Sequence, residues 1–127
     1  MAVVAIYSVK GGVGKTTIAA NLAWFSASVS CRKTLLWDLD AAGGAGFLYS
    51  IASKGKHSAG SLFANGVTPQ ELIRKTAYDR LHLLPADPSL WALDATLTQI
   101  GKKKRLAKLA EALAGTYERI IYDCPPC

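Results

Sequence analysis

The stretch SVKGGVGKTT, residues 8–17, sets Gly11, Gly12, Val13 and Gly14 directly ahead of Lys15, Thr16 and Thr17. Glycines let a backbone close in on a phosphate, a lysine placed after them reaches the β- and γ-phosphates of a nucleotide, and the next hydroxyl binds Mg²⁺. The spacing departs from the common G-x-x-x-x-G-K-[ST]: Val9 stands where the first glycine belongs, and a second lysine, Lys10, follows it. Carboxylates lie far away in sequence. Asp38 and Asp40 close the run TLLWDLD, residues 34–40, and Asp123 lies in RIIYDCPP, residues 119–126.

These side chains act together only if regular elements carry them to one place. AVVAIY, residues 2–7, is a short β-branched apolar run that enters the glycine loop directly, which predicts a strand and then a turn. From Thr16 onward Ile18, Leu22, Phe25 and Val29 recur at helical steps and predict a helix with one apolar stripe, ending near Ser30. Strand, glycine loop and helix is the setting a phosphate site needs, because it gathers backbone N–H groups at the positive end of a helix. TLLWDLD reads as a second, buried strand, followed by a flexible AAGGAG and a polar loop over 49–60. TPQE, residues 68–71, carries a capping-box signature and opens a short helix. LHLLPA, residues 81–86, is a third strand, and Asp87-Pro88-Ser89 starts a helical region running toward Gln99. Leu106, Leu109, Ala110 and Leu113 form a helical apolar face that Gly115 ends, and RIIYDCPP is a fourth strand. Strands alternating with helices predict an α/β protein with a parallel sheet covered on both faces, with no internal repeat and no domain boundary, so that residues 1–127 read as part of a single domain.

The chain has 127 residues, half of them apolar, and a net charge of +6. That is the balance of a globular domain with a core, and the positive charge favours polyanionic partners. No apolar run approaches the ~20 residues of a spanning helix, and no positive charge precedes AVVAIY as it does in a secretory leader. The odd number of cysteines, Cys31, Cys124 and Cys127, fits reduced thiols, so the expected location is cytoplasmic.

With Lys10 included, the loop resembles the deviant phosphate loop K-G-G-x-G-K-[ST] of the ParA/MinD family of ATPases, in which the position of Val9 is free. The resemblance continues through LLWDLD, LHLLPAD and YERIIYDCPP, so it covers essentially the whole chain. It implies that Lys15 and the loop residues 11–14 hold the phosphates of ATP, with Thr17 near the α-phosphate. Thr16 would bind Mg²⁺, and Asp123 would hold the ion through a water. Asp40 would orient the attacking water, and Asp38 would support the switch and the outer shell of the metal. Lys10 would cross to the nucleotide of a second subunit in an ATP-dependent homodimer. The implied strand order, counting the four predicted strands along the chain, is 3-2-4-1.

The resemblance implies a ParA-like ATPase of plasmid or chromosome partitioning that works with a DNA-binding adaptor. The alternatives are a MinD-like membrane-positioning ATPase and a nucleotide-binding module without turnover. Partition-type members follow D-x-D with Pro-Gln, where this chain has Ala41 and Ala42. The family also continues well past its D-x-P-P segment, so the chain reads as an N-terminal portion with AVVAIY left at a sheet edge. The run Lys102, Lys103, Lys104, Arg105, with Lys108, is a candidate surface for non-specific DNA. CPPC, residues 124–127, has the spacing of a metal or redox pair but no second pair to complete a site. His57 and His82 have no companions that would make them ligands.

Overall fold

The structure is a computed structural model that describes residues 2–7, 14–40, 44–49, 62, 68–87, 89–90 and 99–125, with the backbone alone at Phe47, Gln99, Ile100 and Lys102. The β-branched and leucine-rich runs form strands β1 (Ala2–Ile6), β2 (Thr34–Asp38), β4 (Leu81–Leu84) and β5 (Arg119–Asp123). A two-residue strand, β3 (Arg74–Lys75), precedes β4. The helices are α1 (Lys15–Trp24), α2 (Gly44–Leu48) and α3 (Gln99–Leu113).

The sheet order is β1-β5-β2-β4-β3. Its four longer strands are parallel and stand in the order predicted. β3 was not predicted: it pairs antiparallel with β4, Arg74 opposite Leu83 and Lys75 opposite His82. Two residues with long charged side chains carry no alternation from which a strand is read.

Alternation along β2 and β5 divides the core between the two faces. Leu35, Trp37, Ile120 and Tyr122 pack with Leu109, Ala110 and Leu113 of α3. Leu36 and Ile121 face the other way, with Leu81 and Leu83, onto Ala19, Ala20, Ala23 and Ala27. The side of α1 that meets the sheet is therefore its alanine side, and Ile18, Leu22, Phe25 and Val29 point outward at 58%, 40%, 53% and 61% exposure. The predicted stripe exists but is not the core face, because small side chains let the helix backbone settle close on the sheet. After Trp24 the helix widens into a π-helical turn, Phe25–Val29, and ends at Ser30 as expected.

Several loops are more ordered than their composition suggests. The AAGGAG segment gives way to α2 at Gly44, and Tyr49 is anchored by donating its hydroxyl to the carbonyl of Ala20 at 2.7 Å. Residues 50–60, with His57, lie outside the described residues. Thr68 N–H donates to the Glu71 carboxylate at 2.8 Å, as a capping box requires, ahead of a short turn of 3-10 helix at Pro69–Glu71. Ser89 N–H donates to Asp87 Oδ1 at 2.8 Å, and residues 89–90 are helical, but residues 91–98 of the helical region expected toward Gln99 lie outside the described residues. β1 is an edge strand with Val3 and Val4 exposed. No helix among the described residues is long and apolar enough to cross a membrane.

Candidate functional site

The parallel strands β5 and β2 end side by side, with Asp123 and Asp38 in register. The ladder continues one step past the strands: Leu39 N–H donates to the Asp123 carbonyl at 2.9 Å and Cys124 N–H to the Ile6 carbonyl at 3.1 Å. Those bonds set where Asp40 emerges. α1 starts at the same end of the sheet. Gly14, which precedes its first residue, has φ 66° and ψ 3°, a left-handed conformation that glycine takes without strain. Its carbonyl accepts the Ile18 N–H at 2.9 Å and so closes the first helical turn. Lys15, Thr16 and Thr17 thus occupy the positive end of a helix, where an anion is stabilised.

Lys15 is only 5% exposed, and its ammonium donates to Asp123 Oδ1, with Asp40 Oδ2 at 3.7 Å. Asp123 is fully buried, and its Oδ2 is without a hydrogen-bond partner. Asp38 is buried as well, but both of its oxygens are engaged: Oδ1 accepts the Asp40 N–H at 3.0 Å and Oδ2 the Ala45 N–H at 3.3 Å. Burial pushes the Asp38 carboxyl up to about 7, with the neighbouring charges of Asp123 and Asp40 adding to the rise and the two backbone donors opposing it. Asp38 therefore ties the end of β2 to the start of α2.

The orphan oxygen of Asp123 tests whether the site suits Mg²⁺. A buried carboxylate oxygen with no donor is costly, and a hydrated cation beside it supplies what is missing. Among the described residues no three acidic, histidine or cysteine side chains converge on one point. The single orphan oxygen of Asp123 suits Mg²⁺, which is held by one or two carboxylates and completes its octahedron with water and phosphate oxygens. The residues present fit the ion.

Sequence reasoning missed Gly44. A methyl group added there would stand 3.1 Å from Thr16 Cγ2 and 3.2 Å from Thr16 Oγ1. The absent side chain makes room for the threonine at the head of α1, and only a fold that sets α2 against α1 reveals it. Lys10, Gly11, Gly12 and Val13, together with Ala41 and Ala42, lie outside the described residues.

The remaining candidates among the described residues do not join this site. Lys103, Lys104 and Lys108 are exposed on α3, but Arg105 donates to the Leu62 carbonyl at 3.0 Å and belongs to the packing. The side chain of Lys102 lies outside the described residues. Cys124 is buried in the α3-side core, and Cys127 is not among the described residues. His82 Nδ1 and the Tyr117 hydroxyl share a 2.7 Å hydrogen bond, and burial with nearby Lys33 and Lys75 lowers the His82 pKa.

A buried lysine at a helix head, paired with carboxylates at the ends of parallel strands, is the arrangement of the P-loop class of α/β proteins. Residues 1–127 match the family model described as AAA domain, and the chain belongs to that family, in its ParA/MinD branch. It is 38% identical over 98% of its length to the chromosome partitioning protein ParA of Myxococcus xanthus, covering 44% of that protein. It is 31% identical, again over 98% of its length, to the sporulation initiation inhibitor protein Soj of Bacillus subtilis, covering 49% of it. Among solved structures, cobyrinic acid a,c-diamide synthase from Mycobacterium smegmatis, with a bound ATP analogue and magnesium, superposes with a TM-score of 0.88 at 30% identity. That match covers all of this chain and 51% of the synthase. The chain thus spans about half the length of the relatives it matches.

Proposed function

We propose that this chain is the phosphate-binding part of a ParA-type ATPase that binds and hydrolyses Mg·ATP in DNA partitioning. The observation that carries the reading is the convergence of Lys15, Asp123 and Asp40 at the head of α1, with Thr16 beside them. Lys15 and the backbone of residues 11–14 hold the β- and γ-phosphates, and Thr17 lies near the α-phosphate. Thr16, and Asp123 through a water, would hold Mg²⁺, whose charge would offset that of the phosphate oxygens. Asp38 keeps the end of β2 and the start of α2 together and would support the switch and the outer shell of the metal. Asp40 accepts a hydrogen bond from the attacking water and orients it in line with the γ-phosphate.

Lys10 has a separate task in this reading. One lysine suffices to cradle phosphates, so the second is assigned to the nucleotide of a partner subunit in an ATP-dependent homodimer. A charge supplied in trans contributes roughly 10³ to 10⁵ in rate in GTPase systems.

The test is calorimetry of Mg·ATP binding together with phosphate release. Lys15→Ala is expected to abolish binding, and a variant that binds like the parent removes the site assignment. Asp40→Ala is expected to bind Mg·ATP within a few-fold of the parent and to lose roughly 10²- to 10⁴-fold in hydrolysis. Equal losses in both would make Asp40 a metal-site residue instead.

A further inference from the structure

Lys15 is almost wholly buried, and the partners that hold it are Asp123 and, at 3.7 Å, Asp40. A buried ammonium needs a counter-charge, and a buried carboxylate needs the same. Here each satisfies the other. On the reading proposed above, Asp123 is also the carboxylate that faces Mg²⁺, so two cations compete for one group.

We propose that in the nucleotide-free protein the Lys15 ammonium itself occupies the cation position beside Asp123, so that a divalent metal enters only together with a phosphate that draws Lys15 away. The inference rests on the nucleotide-site reading but makes a separate claim, about metal in the absence of nucleotide. With Lys15 in place, a dication at Asp123 would sit next to a buried ammonium, and like charges at that range repel strongly where water is excluded. Phosphate oxygens remove the conflict by offering Lys15 a new partner while adding ligands for the metal. Charge stays balanced through the exchange: the ammonium passes from carboxylate to phosphate, and the metal takes up the carboxylate. The orphan Oδ2 of Asp123 marks the side of the carboxylate that Lys15 leaves unsatisfied. Metal and nucleotide affinities are then coupled reciprocally.

The experiment titrates Mn²⁺ alone, without nucleotide, into the chain and follows the free ion by electron paramagnetic resonance. Lys15→Met, which keeps the aliphatic stem and removes the charge, is expected to bind Mn²⁺ at least about ten-fold tighter than the parent, about 1.4 kcal/mol. Lys15→Arg keeps the charge and is expected to bind no tighter than the parent. Adding Asp123→Asn to Lys15→Met is expected to erase the gain. Equal affinity in the parent and Lys15→Met overturns the proposal, as does a gain that Lys15→Arg shares or that survives Asp123→Asn. Should Lys15→Met fail to fold by circular dichroism, Asp123→Asn alone decides. Lys15 should then react with an amine-directed acetylating reagent at least about ten-fold faster than in the parent, and an unchanged rate overturns the lock. Mg·ATP calorimetry of the parent reports on the nucleotide reading independently, so either idea can fail without the other.

Discussion

Asp38 and Asp123 stand opposite each other in adjacent strands and are buried alike, but their oxygens are spent differently. Asp38 accepts two backbone N–H groups, whereas Asp123 keeps one oxygen unsatisfied beside Lys15. Both were legible as strand-end carboxylates, but the division between them was not, because it depends on where α2 begins. The same holds for Gly44, one glycine among several in AAGGAG until the fold presses it against Thr16. Its role gives a sharp expectation. Gly44→Ala crowds Thr16 Cγ2 and Oγ1 at 3.1 and 3.2 Å, so the threonine or α2 has to give by a few tenths of an ångström. Either response moves the hydroxyl assigned to Mg²⁺, while the new methyl group buries little else. The expected result is at least about a ten-fold loss of Mg·ATP affinity, about 1.4 kcal/mol, with much less effect on nucleotide binding measured in EDTA. Equal losses with and without metal would show that the substitution acts through general distortion rather than through Thr16.

α1 shows how a correct periodicity can leave the wrong face facing inward. Ile18, Leu22, Phe25 and Val29 mark a true helical stripe, yet the fully buried positions are Ala19, Ala23 and Ala27. Hydrophobicity ranks the first set higher, and nothing in local spacing reports that a helix packed closely on a sheet needs small side chains. The four longer strands were legible because β-branched and leucine runs bounded by turn residues leave few alternatives. β3 was not, because its two residues pair only once the tight turn at Arg80, with φ 63°, brings them back alongside β4. The orientation of α1 is testable within one turn of the helix. Ala23→Leu inserts a branched side chain between α1 and the sheet and is expected to lower unfolding stability by about 1 to 3 kcal/mol. Leu22→Ala, one residue away and 40% exposed, is expected to cost less, since only part of its surface leaves water on folding and no side chain is forced between α1 and the sheet. Urea unfolding of the two variants decides it. The reverse ranking would place the apolar stripe against the sheet after all.

At the scale of the whole molecule the net charge of +6 has to be located before it means anything. The phosphate site uses little of it, because Lys15 is neutralised by its own carboxylates. A larger share lies on α3, on the sheet face opposite α1, where Lys103, Lys104 and Lys108 reach solvent. The sequence presents Arg105 as a fourth member of that group, but the fold removes it: its guanidinium holds the Leu62 carbonyl at 3.0 Å. The residues of one basic run should therefore separate in experiment. If α3 binds DNA, replacing Lys103, Lys104 and Lys108 by glutamine lowers the slope of log affinity against log salt by about 0.9 for each phosphate no longer neutralised, and weakens binding uniformly across sequences. Stability should barely change, since exposed lysines of a helix contribute little to folding. Arg105→Ala should do the opposite, costing about 1 kcal/mol of stability through the missing hydrogen bond and leaving the salt slope as it was. Fluorescence anisotropy with a labelled duplex over a potassium chloride series, next to thermal melts of the same proteins, measures both quantities. An unchanged slope in the triple-glutamine variant would mean that these lysines only solvate the outer face of α3, and any DNA binding would then have to come from elsewhere on the molecule.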